Sequence, residues 1–248
     1  MRRLTIALVS VGLVIGAAAS AATPEATAAI AAAVADPIRP EADTARDAAR
    51  KPAEIVAFAG VEPGDVVAEF LPGGGYYTRI LSKTVGPEGH VYALVPAGFA
   101  QRAGGLDALN ALAASLGNVT VVATDLTAFT LDRPVDLAWT SENYHDMHNG
   151  PTPSFGGVNE STFRALKPGG IYFVEDHAAA PGAGISATST LHRIEPAAVI
   201  EEVSRAGFAL DAQSDLLANP DDPKTAGVRD PSIQGETEKL ALRFRKTG

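Results

Sequence analysis

The fold of this chain is set by residues 66–78, which read Val-Val-Ala-Glu-Phe-Leu-Pro-Gly-Gly-Gly-Tyr-Tyr-Thr. Residues 66–71 form a short apolar run with one acid, and this run stops at a proline and three glycines. Residues 76–85 continue with a helix-like pattern, so the stretch predicts a strand, a tight glycine turn and a helix start. Such a turn lets the backbone approach a ligand closely, and the N–H groups at the helix start favour anionic or carboxylate groups. A nucleotide-type ligand would fit, although an ordinary glycine-rich connection has the same pattern.

Strand-like and helix-like segments alternate from this point to the C-terminus. The predicted strands after the first are residues 90–95, 119–123, 135–140, 171–174, 209–216 and 239–245, and the predicted helices are residues 106–116, 159–166 and 196–206. Alternation of this kind favours right-handed crossovers and parallel strands covered by helices on both faces. We therefore expect an α/β fold with a doubly wound, mostly parallel, seven-stranded sheet.

The length of 248 residues and the hydrophobic content of 46% are enough for one sizeable core, so we expect one domain. We place this domain at residues 43–248 and expect it to open with a helix over residues 43–60. Residues 22–42 precede it as an alanine-rich N-terminal helix and a linker. Two long stretches, residues 142–157 and 217–238, lack regular signals, and such loops are often lids or binding loops.

Residues 1–21 have the three parts of a secretory signal peptide. Arg2 and Arg3 are followed by an apolar run over residues 4–15 and by an Ala-x-Ala motif that ends at Ala21. The apolar run is too short to span a membrane. We therefore expect cleavage after Ala21, a periplasmic or secreted protein, and no stable membrane anchor after cleavage. The absence of cysteine excludes disulfides, lipoprotein attachment and thiolate metal sites.

The chain is acidic, with a formal net charge of -9 that becomes -11 when Arg2 and Arg3 leave with the signal peptide. It has no basic cluster, and proteins bind phosphate backbones through Lys and Arg side chains. Nucleic acid and anionic lipid are therefore poor partners, and a small molecule is the expected substrate. The sequence does not specify an oligomeric state.

Three motifs carry a resemblance to a known family. They are Glu-Phe-Leu-Pro-Gly-Gly-Gly at residues 69–75, residues 118–126 with Asp125, and Leu-Lys-Pro-Gly-Gly at residues 166–170. From about Asp43 to the C-terminus the chain resembles the class I S-adenosylmethionine-dependent methyltransferases, and more narrowly a group of predicted exported bacterial methyltransferases. The resemblance implies a methyltransferase that uses S-adenosylmethionine on a small molecule. It also implies that the last strand is antiparallel and lies beside the sixth.

The resemblance further implies which residues bind the cofactor. Glu69 would lie near its ammonium group, and Gly73 and Gly75 would pass beneath its aminoacyl part. Asp125 would accept a hydrogen bond from the adenine amino group. The predicted cofactor-binding set is Glu69, Leu71, Gly73, Gly75, Asp125, Leu126 and Thr140.

The chain departs from the family pattern at two points. Leu71 stands where the first glycine of the usual Gly-x-Gly-x-Gly is found. The second strand ends at residues 93–96, Ala-Leu-Val-Pro, without the acid that usually binds the ribose hydroxyls in this family and in dinucleotide-binding enzymes. Glu88, Gln101 and Arg102 are the alternatives for that contact. These departures leave open a non-catalytic small-molecule-binding module on the same fold.

Ionisable side chains follow the fourth and fifth predicted strands. They lie in residues 141–149 and in residues 175–177, Glu-Asp-His. Because ligands of such sheets lie outside the carboxyl ends of the strands, we expect these loops to meet on the cofactor's side. We predict that His145, Asp146 and His148 are catalytic. We predict that Asn143, Tyr144, Asp176 and His177 bind the substrate.

Three uses of this cluster are open. Histidine has a suitable unperturbed pKa for deprotonating a hydroxyl or amine acceptor, with Asp146 or Asp176 orienting it. Imidazoles and carboxylates also bind divalent metals, as in catechol-type O-methyltransferases or in a metal-assisted hydrolase or lyase. The spacing differs from that of the catechol enzymes, and we assign no metal ligands from the sequence. The third use is structural, as hydrogen bonds in a tight loop with exposed histidines.

Two further charged pairs are interpreted as solvated. His192 and Arg193 precede the helix at residue 196, where they would face the same cleft or, as we favour, form a solvated cap. Asp221 and Asp222 lie in the second long loop, where they would attract a cation or, as we favour, remain in solvent.

Overall fold

The computed structural model describes residues 22–102, 104–149 and 154–248. The expected signal peptide at residues 1–21 lies outside this part. The helices are α1 (Pro24–Val34), α2 (Glu41–Thr44), α3 (Asp47–Arg50), α4 (Pro52–Ala59), α5 (Tyr76–Val85), α6 (Asp107–Leu116), α7 (Phe155–Ala165) and α8 (Pro196–Arg205). The strands are β1 (Val66–Phe70), β2 (His90–Pro96), β3 (Val119–Thr124), β4 (Val135–Ser141), β5 (Leu166–His177), β6 (Phe208–Ser214) and β7 (Lys239–Lys246). Within the described ranges, no helix has the length and apolar character needed to cross a membrane.

The seven strands form one sheet in the order β3-β2-β1-β4-β5-β7-β6. Strands β1 to β5 pair in parallel, whereas β7 lies between β5 and β6 and is antiparallel to both. The predicted mostly parallel, seven-stranded sheet with an antiparallel last strand is therefore confirmed. The strand order reverses at β1 and β4, and ligands of doubly wound sheets bind at this kind of switch point.

Helices cover both faces of the sheet and bury two apolar clusters. On one face α7 and α8 pack over side chains that include Phe70 and Tyr172. On the other face α4 and α5 pack over Trp139 and Phe173, and α1 adds Ile30 to the same cluster. The N-terminal helix thus shares the core of residues 43–248.

The helix predicted over residues 43–60 is divided into α2, α3 and α4. Lys51, between α3 and α4, has a left-handed backbone with φ of 43°. Pro52 follows as the first residue of α4, where its missing N–H leaves no bond unmade. The prediction of one helix was wrong because the apolar pattern continues through a proline that starts a new helix.

Strand β5 begins five residues earlier than predicted, at Leu166. The Lys-Pro-Gly-Gly that was expected to precede the strand belongs to it, and its pairing with β4 shifts register between Val135 and Leu137. An irregularity of this kind accommodates a proline, which has no N–H to donate to the neighbouring strand.

The long segment of residues 217–238 contains no helix or strand and is held by a buried ion pair. Arg193 donates two hydrogen bonds to Asp222, at 2.7 and 3.1 Å, and both side chains are fully buried. Arg193 also donates to the carbonyls of Ala178 and Ala226. The interpretation of Arg193 and Asp222 as solvated was wrong, because each satisfies the charge of the other in the interior.

Replacement of Asp222 by alanine should leave the Arg193 guanidinium buried without a counter-charge. Removing one partner of a buried pair costs about 3–5 kcal/mol, so Asp222→Ala should lower the free energy of unfolding by that amount. The exposed neighbour gives the control, since Asp221→Ala should change stability by no more than about 0.5 kcal/mol. Urea denaturation of both variants measures the difference, and equal stabilities would contradict this account of the loop.

Candidate active site

The carboxyl ends of β1, β4 and β5 meet at one edge of the sheet. Phe70 of β1 pairs with Thr140 of β4, which in turn pairs with Val174 of β5. The side chain of Asn143 donates hydrogen bonds to the Phe70 carbonyl at 3.2 Å and to the Ser141 carbonyl at 2.9 Å. These bonds fix the loops that leave the three strands, and two cavities lie above them.

The first cavity, which we call the glycine-loop cavity, has a volume of about 200 Å³. This is below the range of about 300–1,000 Å³ that is usual for ligand pockets. Its walls come from the turn between β1 and α5, from the end of β4 and from two arginines of the N-terminal helices. Its lining includes Arg46, Arg50, Glu69, Leu71, Gly73, Gly74, Tyr76, Tyr77, Trp139, Glu142 and Asn143.

The backbone of the glycine turn is left-handed at three alternate positions. Leu71 has φ of 51°, Gly73 has φ of 56° and Gly75 has φ of 82°. A left-handed backbone is an outlier for leucine, and such strain is concentrated at functional sites. A Cβ atom added to Gly73 would meet nothing within 4 Å, so the turn is open on that side.

Glu69 brings a buried carboxylate to the wall of the glycine-loop cavity. Its side chain accepts a hydrogen bond of 2.6 Å from the Thr78 hydroxyl. Burial outweighs this bond and raises the pKa of Glu69 to about 7. Among the described residues no Lys, Arg or His lies within ion-pair distance of this carboxylate. The group therefore suits a cationic ligand.

Two residues that line this cavity carry buried polar atoms without a hydrogen-bond partner in the described part of the chain. The Tyr77 hydroxyl and the Trp139 indole N–H are buried, and neither has a hydrogen-bond partner among the described residues. Orphaned buried polar atoms are rare, because leaving one unpaired costs about 1–3 kcal/mol.

The N-terminal helices close the glycine-loop cavity from above. Arg46 and Arg50 lie over the Tyr76 ring, with guanidinium carbons 4.7 and 4.8 Å from its centroid. Tyr76 donates a hydrogen bond of 2.6 Å to Asp47, and Arg50 pairs with Glu142 in the loop after β4. These arginines were not predicted from the sequence, because nothing in residues 46–50 indicates that they fold over strand ends far along the chain.

The second cavity, which we call the histidine cavity, has a volume of about 420 Å³ and so falls within the range of ligand pockets. It shares Arg46, Arg50 and Glu142 with the glycine-loop cavity, so the two adjoin. Its other lining residues include His145, Asp146, His177, His192, Arg229, Thr237 and Lys239.

His145 has a hydrogen-bond partner on each ring nitrogen. Its Nδ1 lies 2.8 Å from Oδ1 of the buried Asp176, and its Nε2 lies 3.3 Å from Oδ1 of Asp146. Burial alone would lower its pKa, but the two carboxylates outweigh burial and raise the pKa of His145 to about 10. The raised pKa favours the imidazolium form, in which both ring nitrogens carry a proton.

His177 and His192 also face the histidine cavity. Burial lowers the pKa of His177 to about 4, and its Nδ1 lies 2.8 Å from the Thr237 hydroxyl. The Nδ1 atom of His192 lies 3.2 Å from Nε2 of His145 and 3.6 Å from Oδ1 of Asp146. His192 therefore belongs to the cleft, the alternative that the sequence analysis did not favour.

Two of the predicted residues lie in the core. Tyr144 is fully buried, donates to Glu202 and accepts a hydrogen bond from Asn159. The His148 side chain is also buried, stacks on Phe155 with ring centroids 4.4 Å apart, and has Nε2 3.2 Å from Glu202. Neither side chain lines the glycine-loop or the histidine cavity.

The predicted adenine contact lies apart from the two cavities. Asp125 is exposed beyond the end of β3, and its carboxylate accepts hydrogen bonds from the backbone and hydroxyl of Thr127. Leu126 packs against the core. Neither lines the glycine-loop or the histidine cavity, and the roles given to them stay predictions.

Two of the alternatives for the ribose contact, Glu88 and Arg102, lie at opposite edges of the sheet. Glu88 precedes β2 and lies at the amino-terminal edge, opposite the cavities. That position does not suit the contact. Arg102 follows the carboxyl end of β2, with its guanidinium stacked 4.3 Å from the Phe99 ring centroid.

No protein-family model and no curated protein sequence matches the chain, whereas solved structures do. An S-adenosylmethionine-dependent methyltransferase from Aquifex aeolicus is 18% identical with a TM-score of 0.55, over 77% of this chain and 87% of that one. The chain has the Rossmann-like methyltransferase fold. The glycopeptide N-methyltransferase MtfA, in complex with S-adenosylmethionine, is 17% identical with a TM-score of 0.54, over 82% of this chain and 87% of its own.

The same fold also occurs in a protein with a different activity. The [4+2]-cyclase SpnF is 16% identical with a TM-score of 0.57, over 90% of this chain and 93% of its own. Identities at this level carry the fold alone, and a fold does not decide a function.

The buried Glu69 carboxylate should make stability depend on pH in a way that glutamine does not. Folding raises its pKa from 4.5 to about 7, so the folded form loses stability relative to the unfolded form as pH rises through this window. Glu69→Gln keeps a hydrogen-bond acceptor for Thr78 but does not ionise. The free energy of unfolding of Glu69→Gln, relative to that of the wild type, should therefore rise by about 3 kcal/mol at most between pH 4.5 and pH 7. Above pH 7 the difference should level off.

Denaturant unfolding at several pH values measures this difference, with the exposed Glu54→Gln giving the background. A difference between Glu69→Gln and the wild type that does not change with pH would overturn the assignment.

Proposed function

We propose that this protein is an S-adenosylmethionine-dependent methyltransferase that acts on a small molecule. The observation that carries the proposal is the Glu69 carboxylate, which is buried on the wall of the glycine-loop cavity without a cationic partner among the described residues. A buried carboxylate is stable as the anion only when a cation or several donors face it. S-adenosylmethionine presents an ammonium and a sulfonium group, and either would meet this need.

The other residues of the glycine-loop cavity fit the same cofactor. Gly73 and Gly74 leave the backbone open to a close approach, and Tyr77 and Trp139 line the same cavity. When bound, the cofactor supplies a methyl group on a positively charged sulfur. The chain's own contribution to such a transfer is mainly to hold the acceptor in line with that group.

We place the acceptor in the histidine cavity, which adjoins the glycine-loop cavity at Glu142. Glu142 receives ion pairs from Arg50 and from Lys239, whose Nζ lies 3.4 Å from its Oε1. Arg46 and Arg229 add further positive charge to the walls. The cationic side chains outnumber the acids, which favours a small acceptor with an anionic group.

The strained Leu71 supports a second candidate, the binding module that carries no transferase activity. A leucine side chain at the first position of the turn narrows the approach of a ligand to the backbone, and glycine would remove both the side chain and the strain. Binding of the cofactor without transfer to any acceptor would favour this candidate.

We also propose that the protein is exported and cleaved after Ala21. The support is the order of the charged, apolar and small residues in the first 21 positions. The proposal places the enzyme outside the cytoplasm, where the acceptor would also have to be found.

Calorimetric titration of the purified protein with S-adenosylmethionine tests the cofactor site. We expect binding in the micromolar range, about -8 kcal/mol. Gly73→Ala should weaken it at least tenfold, because the new methyl group enters the cavity. Gly117→Ala is the matched control, since Gly117 also has a left-handed backbone with open space beyond its Cα but lies at the end of α6.

Glu69→Gln separates the contact with the ammonium from the rest of the site. Loss of a hydrogen bond to a charged group costs about 1.5–3 kcal/mol, which corresponds to binding of S-adenosylmethionine that is weaker by about 10-fold to 150-fold. Methylthioadenosine has no ammonium, so its affinity should be equal for the variant and the wild type. The absence of S-adenosylmethionine binding by the folded protein would refute the proposed cofactor.

Expression of residues 1–248 in a bacterium tests export. The mature protein should appear in the periplasm or the medium, with the mass of a chain that begins at Ala22. Ala21→Glu should block cleavage and leave the full-length precursor. A cytoplasmic wild-type protein that retains residues 1–21 would contradict the proposal.

A further inference from the structure

Three potential metal ligands of the histidine cavity converge on one point. They are Nε2 of His145, Oδ1 of Asp146 and Nδ1 of His192, and all three lie within 4.8 Å of one another. We propose that these residues form a binding site for a divalent transition metal, with zinc as the preferred ion, and that its open coordination position faces the cavity. No metal ligands were assigned from the sequence, in which His192 lies 47 residues from His145.

The separations between the three atoms match tetrahedral coordination. They are 3.2 Å between the two nitrogens, 3.3 Å from His145 to Asp146, and 3.6 Å from His192 to Asp146. Zinc binds nitrogen and oxygen at about 2.0–2.2 Å, which places two ligands of a tetrahedral site about 3.4 Å apart and two of an octahedral site about 3.0 Å apart. An ion at the centre would thus reach all three atoms with small side-chain shifts.

Asp176 supports the site from behind. Its Oδ1 lies 2.8 Å from Nδ1 of His145, and its Oδ2 accepts the backbone N–H of the same residue at 2.6 Å. The bond to Nδ1 directs Nε2 of His145 toward Asp146 and His192. A histidine that binds a metal commonly donates its other N–H to a carboxylate in this way. The carboxylate is fully buried, so the ring is held firmly.

The neighbouring residues hold His192 in place. Its backbone is left-handed with φ of 55°, a conformation that is costly for histidine. The next residue, Arg193, forms the buried ion pair with Asp222, and the N–H of Ile194 donates to the His177 carbonyl at the end of β5. The fold therefore maintains a strained residue at this place, which is expected of a functional position.

The ligand chemistry selects the ion. Two imidazoles and one carboxylate favour Zn²⁺ and its transition-metal neighbours over Mg²⁺ and Ca²⁺, which prefer oxygen ligands. Three protein ligands with a fourth position open are typical of catalytic rather than structural zinc. The open position would bind an oxygen of the acceptor, and this role alone rests on the proposed methyl transfer.

Metal titration of the purified protein, stripped with a chelator and re-equilibrated, tests the site. Competition with a fluorescent zinc indicator should give one Zn²⁺ per chain, and Mg²⁺ should not compete. His192→Asn should weaken zinc binding on the order of 100-fold, since asparagine tolerates the left-handed backbone but removes the imidazole. Asp146→Asn, at a half-exposed side chain, should also weaken zinc binding and provides a second variant. Co²⁺ should give intense visible absorption bands typical of tetrahedral coordination.

His90→Asn is the matched control, because His90 lies at the start of β2 on the opposite edge of the sheet. It should bind zinc as the wild type does. Failure of the folded wild type to bind one equivalent, or wild-type affinity in both ligand variants, would overturn the metal site. Titration of the stripped protein with S-adenosylmethionine keeps the two proposals apart, because that binding does not require the metal.

Discussion

The parallel pairing of β4 with β1 on one side and with β5 on the other is the constraint on which the rest of the structure depends. Parallel strands end at the same edge, so the chain leaves all three strands at one place. Hydrogen bonds then join these ends, from the Asn143 side chain to the Phe70 carbonyl and from the Glu142 N–H to the Glu175 carbonyl. Both cavities lie above this edge, and Glu142 lines both of them.

Three carboxylates are buried at this edge of the sheet. Glu69, Glu175 and Asp176 are all buried at the ends of β1 and β5. Burial raises the pKa of Glu69 and of Glu175 to about 7. Asp176 instead orients His145, and Glu69 is left facing the glycine-loop cavity. A perturbed carboxylate in a cleft is typical of a functional site. Here Glu69 lines the glycine-loop cavity, whereas imidazoles and cationic side chains line the histidine cavity.

The sequence predicted the sheet, and it predicted that ionisable residues gather at the edge where the two cavities lie. Helix α5 was predicted with its observed bounds, because a glycine turn and a clear apolar period mark both ends. The prediction of one helix over residues 43–60 was wrong, because Lys51 has a left-handed backbone and Pro52 starts a new helix. His145, Asp146 and His177 come together as the topology requires, whereas Tyr144 and His148, in the same loop, turn into the core. Sequence spacing does not reveal which way a side chain in a short irregular turn points.

By itself, the sequence determined the α/β architecture, the glycine turn after the first strand and the gathering of ionisable residues at two strand ends. These features follow from local periodicity and from the rule that parallel strands share an edge. Only the tertiary structure decided that Arg50 and Lys239 meet at Glu142, that Arg193 and Asp222 are buried together, and that His192 joins His145. Such contacts connect segments far apart in the chain, and their energies depend on burial and distance, which a single sequence does not contain.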